Sequence, residues 1–190
     1  AKVYAHWMVV NYRESYGLHC VSGILFNHES PLRGAEFVTR KITQGVAAVA
    51  KGQKKRIELG NLEAQRDWGY APEYVAGMRL ILQADEASSY VLASGKTHSV
   101  RDFVSLAFSA AGIELEFEGT GLLETGRDRR TGEIRVAIDP HFFRPAEVDL
   151  LVGDPSRAQR ELGWSVQTDL GSLCSLMVEA DIRRLERYRA

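Results

Sequence analysis

Leu18-His19-Cys20-Val21-Ser22-Gly23-Ile24-Leu25-Phe26-Asn27-His28-Glu29-Ser30-Pro31 changes from apolar to polar at one point, between Phe26 and Asn27. A short apolar run closed by a polar cluster reads as a buried strand over residues 18–26 with a loop directly after it. Upstream, Val3, Trp7, Met8, Val10 and Tyr12 fall at helical spacing over residues 2–16, and Gly17 supplies a stop. Downstream, Val38, Ile42, Val46 and Val49 stay in phase over residues 36–51, and Gly52 ends that helix. Helix, buried strand, helix is the alternation of an α/β fold.

The alternation loosens further along. Residues 57–59 read as a strand closed by Gly60, Arg66-Asp67-Trp68-Gly69 as a turn or short strand, and 72–84 as a helix with Pro72 in its first turn. Residues 90–93 read as a strand. Ser99 is placed to cap a helix running to about Ala111, with Asp102 in its first turn. Residues 115–117 and 134–138 read as strands, and the glycine-rich, charged stretch 119–132 between them as a mobile loop. Two more helices are expected, over 154–162 and 169–187. The later part therefore looks α+β.

Length and composition suit one large domain or one and a half small ones: 190 residues, 45% apolar and 26% charged. Net charge is -1, from 24 basic and 25 acidic residues, so no basic excess points to nucleic acid or a membrane surface as partner. No apolar run is long enough to span a bilayer. Cys20 and Cys174 both sit among apolar neighbours and read as buried free thiols, which suits a reducing cytoplasm. No Cys or His spacing suggests a metal. Ala1-Lys2-Val3-Tyr4 reads as helix interior without a cap, so the chain is expected to begin inside a longer protein.

Few segments offer chemistry on residue type alone. Arg66 between a strand and a helix suits a phosphate or carboxylate, or a surface ion pair. Arg40 and Lys41 are adjacent on a helix, roughly 100° apart, so both rarely serve one ligand and a solvated face is the simpler reading. Asn27 and His28 follow a strand end, where ligands of α/β sheets gather, although a backbone-bonded loop is as good an account. Arg144 and Glu147 form a local ion pair, or else meet phosphate and ribose or base.

Together these segments resemble the extended short-chain dehydrogenase/reductase superfamily and, within it, the GDP-mannose 4,6-dehydratase family. The resemblance rests on Asn11-Tyr12-Arg13-Glu14-Ser15-Tyr16-Gly17, Asn27-His28-Glu29-Ser30-Pro31, Phe37-Val38-Thr39-Arg40-Lys41-Ile42, Arg66-Asp67-Trp68-Gly69 and Phe143-Arg144-Pro145-Ala146-Glu147-Val148. It implies the end of a Rossmann-type NAD(P)-binding domain, residues 1–26, followed by the smaller α+β substrate domain, residues 27–190, with 70–94 returning to the cofactor domain. It implies bound NADP, GDP-mannose as substrate, and a homodimer or homotetramer.

The same resemblance implies roles. Lys2 matches the Lys of a Tyr-x-x-x-Lys pair whose Tyr lies before residue 1, as do the family's active-site Thr and Glu and its glycine-rich cofactor loop. Its ammonium would lower the pKa of that Tyr and bond the nicotinamide ribose. His28 and Arg33 match cofactor contacts; Asn27, Val38, Lys41, Arg66, Arg144 and Glu147 match positions near the nucleotide sugar. The implied reaction oxidises C4, loses water across C5–C6 and returns the hydride to C6, giving a 4-keto-6-deoxy sugar nucleotide. The chain alone is expected to be inactive. Other extended reductases or epimerases, and a non-catalytic domain that binds a nucleotide diphosphate, remain alternatives on these residues.

Overall fold

A computed structural model describes residues 1–142, 148 and 150–187. In chain order its elements begin α1 (Lys2–Tyr16), β1 (Ser22–Leu25), β2 (Asn27–Glu29), α2 (Val38–Ala50), β3 (Ile57–Leu59), β4 (Gln65–Arg66), β5 (Trp68–Tyr70), α3 (Ala71–Leu82) and β6 (Ser89–Leu92). There follow β7 (His98–Ser99), α4 (Val100–Ala110), β8 (Leu115–Glu118), β9 (Thr125–Asp128), β10 (Ile134–Ile138), β11 (Leu150–Leu151), α5 (Ser156–Leu162) and α6 (Leu170–Arg187). They fall into two compact units, each assembled from three chain segments.

The first unit comprises Ala1–His28, Asp67–Lys96 and Val152–Gln167. Its β1 and β6 pair in parallel, Ile24 with Val91 and Leu25 with Leu92. Tyr74, Ile81, Tyr90, Leu92, Ala158 and Trp164 form its core. Trp164 resolves its own polarity by donating Nε1–H to the Glu73 carbonyl at 2.8 Å. Gly17 ends α1 in the left-handed region at φ 63°, returning its N–H to the Arg13 carbonyl. Asp67 is fully buried and ties three loops together. Its carboxylate accepts from Ser94 N–H, Ser94 Oγ–H, Gly95 N–H and Gly153 N–H at 2.7–3.2 Å.

Two expectations change in this unit. Only Ser22–Leu25 of the apolar run 18–26 is strand, because Cys20 N–H closes a tight turn onto the Leu18 carbonyl and is lost to the ladder. Asn27 and His28 lie not in a loop but on β2, which pairs with β5.

The second unit comprises Glu29–Arg66, Thr97–Leu151 and Thr168–Ala190. Its four-stranded sheet has the order β3-β10-β9-β8, with β3 and β10 parallel and the rest antiparallel. Helices α2, α4 and α6 pack on one another through Ile42, Val46, Phe103, Phe108, Leu173 and Met177, all fully buried. Ser99 and Asp102 form a reciprocal capping box at the start of α4. A small sheet of order β11-β4-β7 carries Arg66.

The stretch 119–132 is not simply a loop. It holds a 3-10 turn, Gly121–Leu123, and all of β9, an interior strand. Its charges mislead because they pair within the sheet: Arg127 Nε donates to Glu118, and Asp128 Oδ1 accepts from the N–H groups of Arg130 and Thr131 to build the next turn. Of the two thiols, both free, Cys174 is fully buried and burial pushes its pKa up, while Cys20 is half-buried. Among the described residues no helix is long and apolar enough to cross a membrane.

Candidate functional site

The amino end of α2 has no side-chain cap. Phe37 occupies the cap position and offers no side-chain acceptor, so the first-turn N–H groups of Val38, Thr39 and Arg40 have no partner inside the helix. Such an end carries partial positive charge and suits an anion. What holds it in place lies to either side. Thr39 Oγ1 donates to the buried Glu29 carboxylate at 2.6 Å. Arg40, only 5% exposed, pairs with Asp181 at 2.8 Å and donates to the Pro31 carbonyl at 2.9 Å. Arg40 is thus a structural cation rather than part of a solvated face.

Lys41 points elsewhere. Its Nζ lies 2.9 Å from the centroid of the Phe142 ring. Burial holds its pKa below the usual lysine value, with Asp139 and Glu58 opposing the shift and Lys54 adding to it. Asp139 is kept ionised beside it: hydrogen bonds from the backbone N–H and ring Nδ1 of His141, 2.9 Å each, hold that carboxyl below its ordinary range. Phe142 in turn sits against the end of β3. A Cβ on Gly60 would come within 2.4 Å of the Phe142 carbonyl oxygen, so only glycine permits that approach. The parallel strands β3 and β10 therefore end beside Phe142 and Lys41, the end of a sheet where ligands collect.

Arg66 reaches the same segment from its other end. From β4, its Nη1 donates to the Gln65 carbonyl at 2.8 Å and to the Val148 carbonyl at 2.6 Å. Lys41 at Phe142 and Arg66 at Val148 thus bracket the stretch that carries Arg144 and Glu147, both of which lie outside the described residues. Arg33, in the lead-in to α2, rests its guanidinium 3.5 Å over the Phe37 ring. Its Nε is 3.3 Å from Glu29 Oε2, an ion pair without hydrogen-bond alignment.

The other three candidates belong to the first unit. Lys2 is exposed on the first turn of α1. Asn27 and His28 are half-buried on β2. His28 Nδ1 is 2.8 Å from the Phe26 carbonyl, which only accepts, so Nδ1 carries a proton. That ring stacks on Tyr74 at 5.3 Å. In the second unit a cleft of about 430 Å³ is lined in part by Gly60, Asn61, Leu62, Arg101 and Phe117, with Arg101 matched by Glu63 and Glu124. Among the described residues no group of three or more His, Cys, Asp or Glu side chains could hold a metal ion.

Residue types alone did not single out Glu29, Thr39, Gly60, Asp139 or Phe142. A carboxylate three residues after an apolar run, ten residues before a helical Thr, is the local signal for the Glu29–Thr39 bond.

The family model described as GDP-mannose 4,6 dehydratase matches residues 1–177. A GDP-mannose 4,6-dehydratase of Sinorhizobium fredii (strain HH103) is 53% identical over 189 residues, covering 100% of this chain and 54% of that protein. The GDP-mannose 4,6 dehydratase of Drosophila melanogaster is 50% identical over 187 residues, 98% of this chain and 47% of that protein. The chain spans about half the length of the curated relatives it matches. Among solved structures, RMD from Pseudomonas aeruginosa complexed with NADPH superposes with a TM-score of 0.80 at 19% identity, over 96% of this chain and 55% of that one. A dTDP-glucose 4,6-dehydratase from Bacillus anthracis in complex with NAD gives 0.72 at 14%, over 96% and 50%. The fold is that of the extended short-chain dehydrogenases/reductases.

Proposed function

The chain belongs to the GDP-mannose 4,6-dehydratase family, and from that premise we propose that its protein converts GDP-mannose to GDP-4-keto-6-deoxymannose with bound NADP. The observation that carries this reading is the bracket around residues 142–148. Lys41 and Arg66 reach its two ends, and Lys41 stands on the first turn of the uncapped α2. Two cations and an open helix end are what a nucleoside diphosphate requires.

Each residue then has a task. Lys41 and the Val38 N–H meet one phosphate, and Arg66 the other. Asn27 bonds a sugar hydroxyl. Arg144 and Glu147 serve the phosphate and the ribose or base. Lys2 stabilises the anionic oxygen of a tyrosine on the preceding helical turn and bonds a ribose hydroxyl. The residues present fit NADP: Arg33 offers a cation over an aromatic ring, and His28 offers an imidazole oriented through Nδ1. NADP supplies the hydride acceptor and donor. We assign residues 1–26 and 70–94 to its domain and most of 27–190 to the nucleotide sugar. The free thiols suit the cytoplasm, and a homodimer or homotetramer is expected.

Calorimetry on the full-length protein with GDP, UDP and dTDP tests the proposal, with GDP expected to bind tightest. Preference for UDP would remove GDP-mannose as substrate. Arg66→Ala should cost about 1.5–3 kcal/mol of GDP binding, the worth of a charge-assisted hydrogen bond; unchanged affinity would take Arg66 out of the site.

A further inference from the structure

Glu29 touches both the lead-in loop and the helix carrying the proposed ligand contacts. It is 1% exposed. Its Oε2 accepts the Thr39 hydroxyl at 2.6 Å and lies 3.3 Å from Arg33 Nε. Thr39 is the second residue of α2, between Val38 and Arg40, so this bond fixes the azimuth at which the Val38 N–H and Lys41 leave the helix. Arg33 belongs to a loop that is otherwise tied down through its backbone: Arg33 N–H to the Ser30 carbonyl, Phe37 N–H to the Gly34 carbonyl, and the Pro31 carbonyl to Arg40. The guanidinium rests against the Phe37 face and beside the Glu29 carboxylate.

Burial of a carboxylate costs several kcal/mol unless it is matched by charge and hydrogen bonds. A bond to Thr39 alone could be made by a neutral amide, whereas a carboxylate here also faces the Arg33 guanidinium at 3.3 Å. We infer that Glu29 is a positioning residue: one arm holds Arg33 for the cofactor, and the other holds the open end of α2 for the nucleotide diphosphate. This rests on the ligand assignments proposed above. It couples two sites through one side chain, with no contact between Glu29 and either ligand.

The two arms separate by substitution in the full-length protein. Glu29→Gln keeps shape and an acceptor for Thr39 but removes the charge facing Arg33. Thr39→Val keeps volume and removes the other arm, while Thr39→Ser retains the hydroxyl. Cofactor affinity is read from NADPH fluorescence, and GDP affinity from calorimetry. The expected result is a five- to tenfold weaker NADPH affinity in Glu29→Gln. GDP affinity should weaken by a similar factor in Thr39→Val, with NADPH affinity within twofold of wild type, and return in Thr39→Ser. NADPH affinity unchanged in Glu29→Gln overturns the first arm. GDP affinity unchanged in Thr39→Val, or not restored in Thr39→Ser, overturns the second. Should Glu29→Gln fail to fold, Arg33→Gln removes the first arm's cation, and unchanged NADPH affinity there overturns it. A wild-type protein without GDP affinity sinks the nucleotide-sugar proposal instead, and the cofactor titration still decides the Arg33 arm.

Discussion

Arg40 and Lys41 are neighbours in sequence and face different surroundings, as positions about 100° apart on a helix must. Arg40 closes a buried pair with Asp181; Lys41 turns to Phe142. Burial lowers the Lys41 pKa from 10.5, so in alkaline solution the unfolded chain binds the extra proton. Its desolvation cost is fully present below the folded pKa and fades as pH rises toward 10.5, so this group makes folding more favourable with rising pH in that window. A diphosphate beside Lys41 would favour the ammonium and reverse the shift. GDP binding in alkaline solution, approaching pH 10.5, should therefore take up protons, measured as a dependence of the calorimetric enthalpy on buffer ionisation heat, and Lys41→Met should abolish that uptake. Asp67 makes a stability prediction of the same local kind. Asp67→Ala would leave three backbone N–H groups, those of Ser94, Gly95 and Gly153, without their acceptor. At about 1–3 kcal/mol for each buried unsatisfied group, partly relieved by water, a loss of about 3–5 kcal/mol is expected in urea unfolding. The Arg-Asp pair was visible in the sequence as a ligand candidate through its Arg; that its Asp is a hub for loops 27 and 86 residues further on was not, because its partners are backbone groups without a sequence signature.

Elements were legible wherever the signal is local. The helix ends at Gly17 and Gly163 and the capping box at Ser99 stand where the residues suggest. Strand β9 was hidden because Thr125-Gly126-Arg127-Asp128 has no apolar alternation and Gly126 reads as a loop residue. In the sheet that glycine is a packing choice: a Cβ there would lie 3.1 Å from Phe117 and 3.1 Å from Val136. A second close approach decides where α2 sits. A Cβ on Gly45 would meet Ile57 Cγ2 at 2.4 Å, so α2 rests on β3 through bare backbone. Gly45→Ala should gain about 1 kcal/mol of helix propensity and lose more to overpacking against a β-branched side chain held in a strand. A net destabilisation of about 1–2 kcal/mol is expected, read as a lower denaturant midpoint with unchanged m-value. A rise in the midpoint would show that Ile57 yields and that the contact does not fix the helix.

At the scale of the whole chain, the family was readable from short strings such as residues 27–31 and 143–148. The interleaving of segments was harder to read. Residues 152–167 join the first unit through Ala158 and Trp164, yet nothing in their composition distinguishes them from the residues on either side. Periodicity reports which face of an element is apolar, not which element will cover it. Helix α1 is the clearest case. Its apolar spacing predicts a packed helix; within these 190 residues, about half the length of the relatives matched, it buries no residue, with Val3 72% and Trp7 63% exposed. A 15-residue helix without a buried face is marginal in water, since propagation barely repays nucleation at that length. In contrast α6 buries Leu170, Leu173, Cys174, Met177, Val178 and Asp181. Hydrogen exchange on the 190-residue chain should therefore split the molecule. Amides of α1 should exchange within seconds, and those of α4 and α6 at least about a hundredfold more slowly, near the limit set by global unfolding. The Trp7 emission should be red-shifted as for a water-exposed indole, while that of Trp164, 4% exposed, should not. Equal protection of α1 and α6 would mean that α1 finds cover in solution.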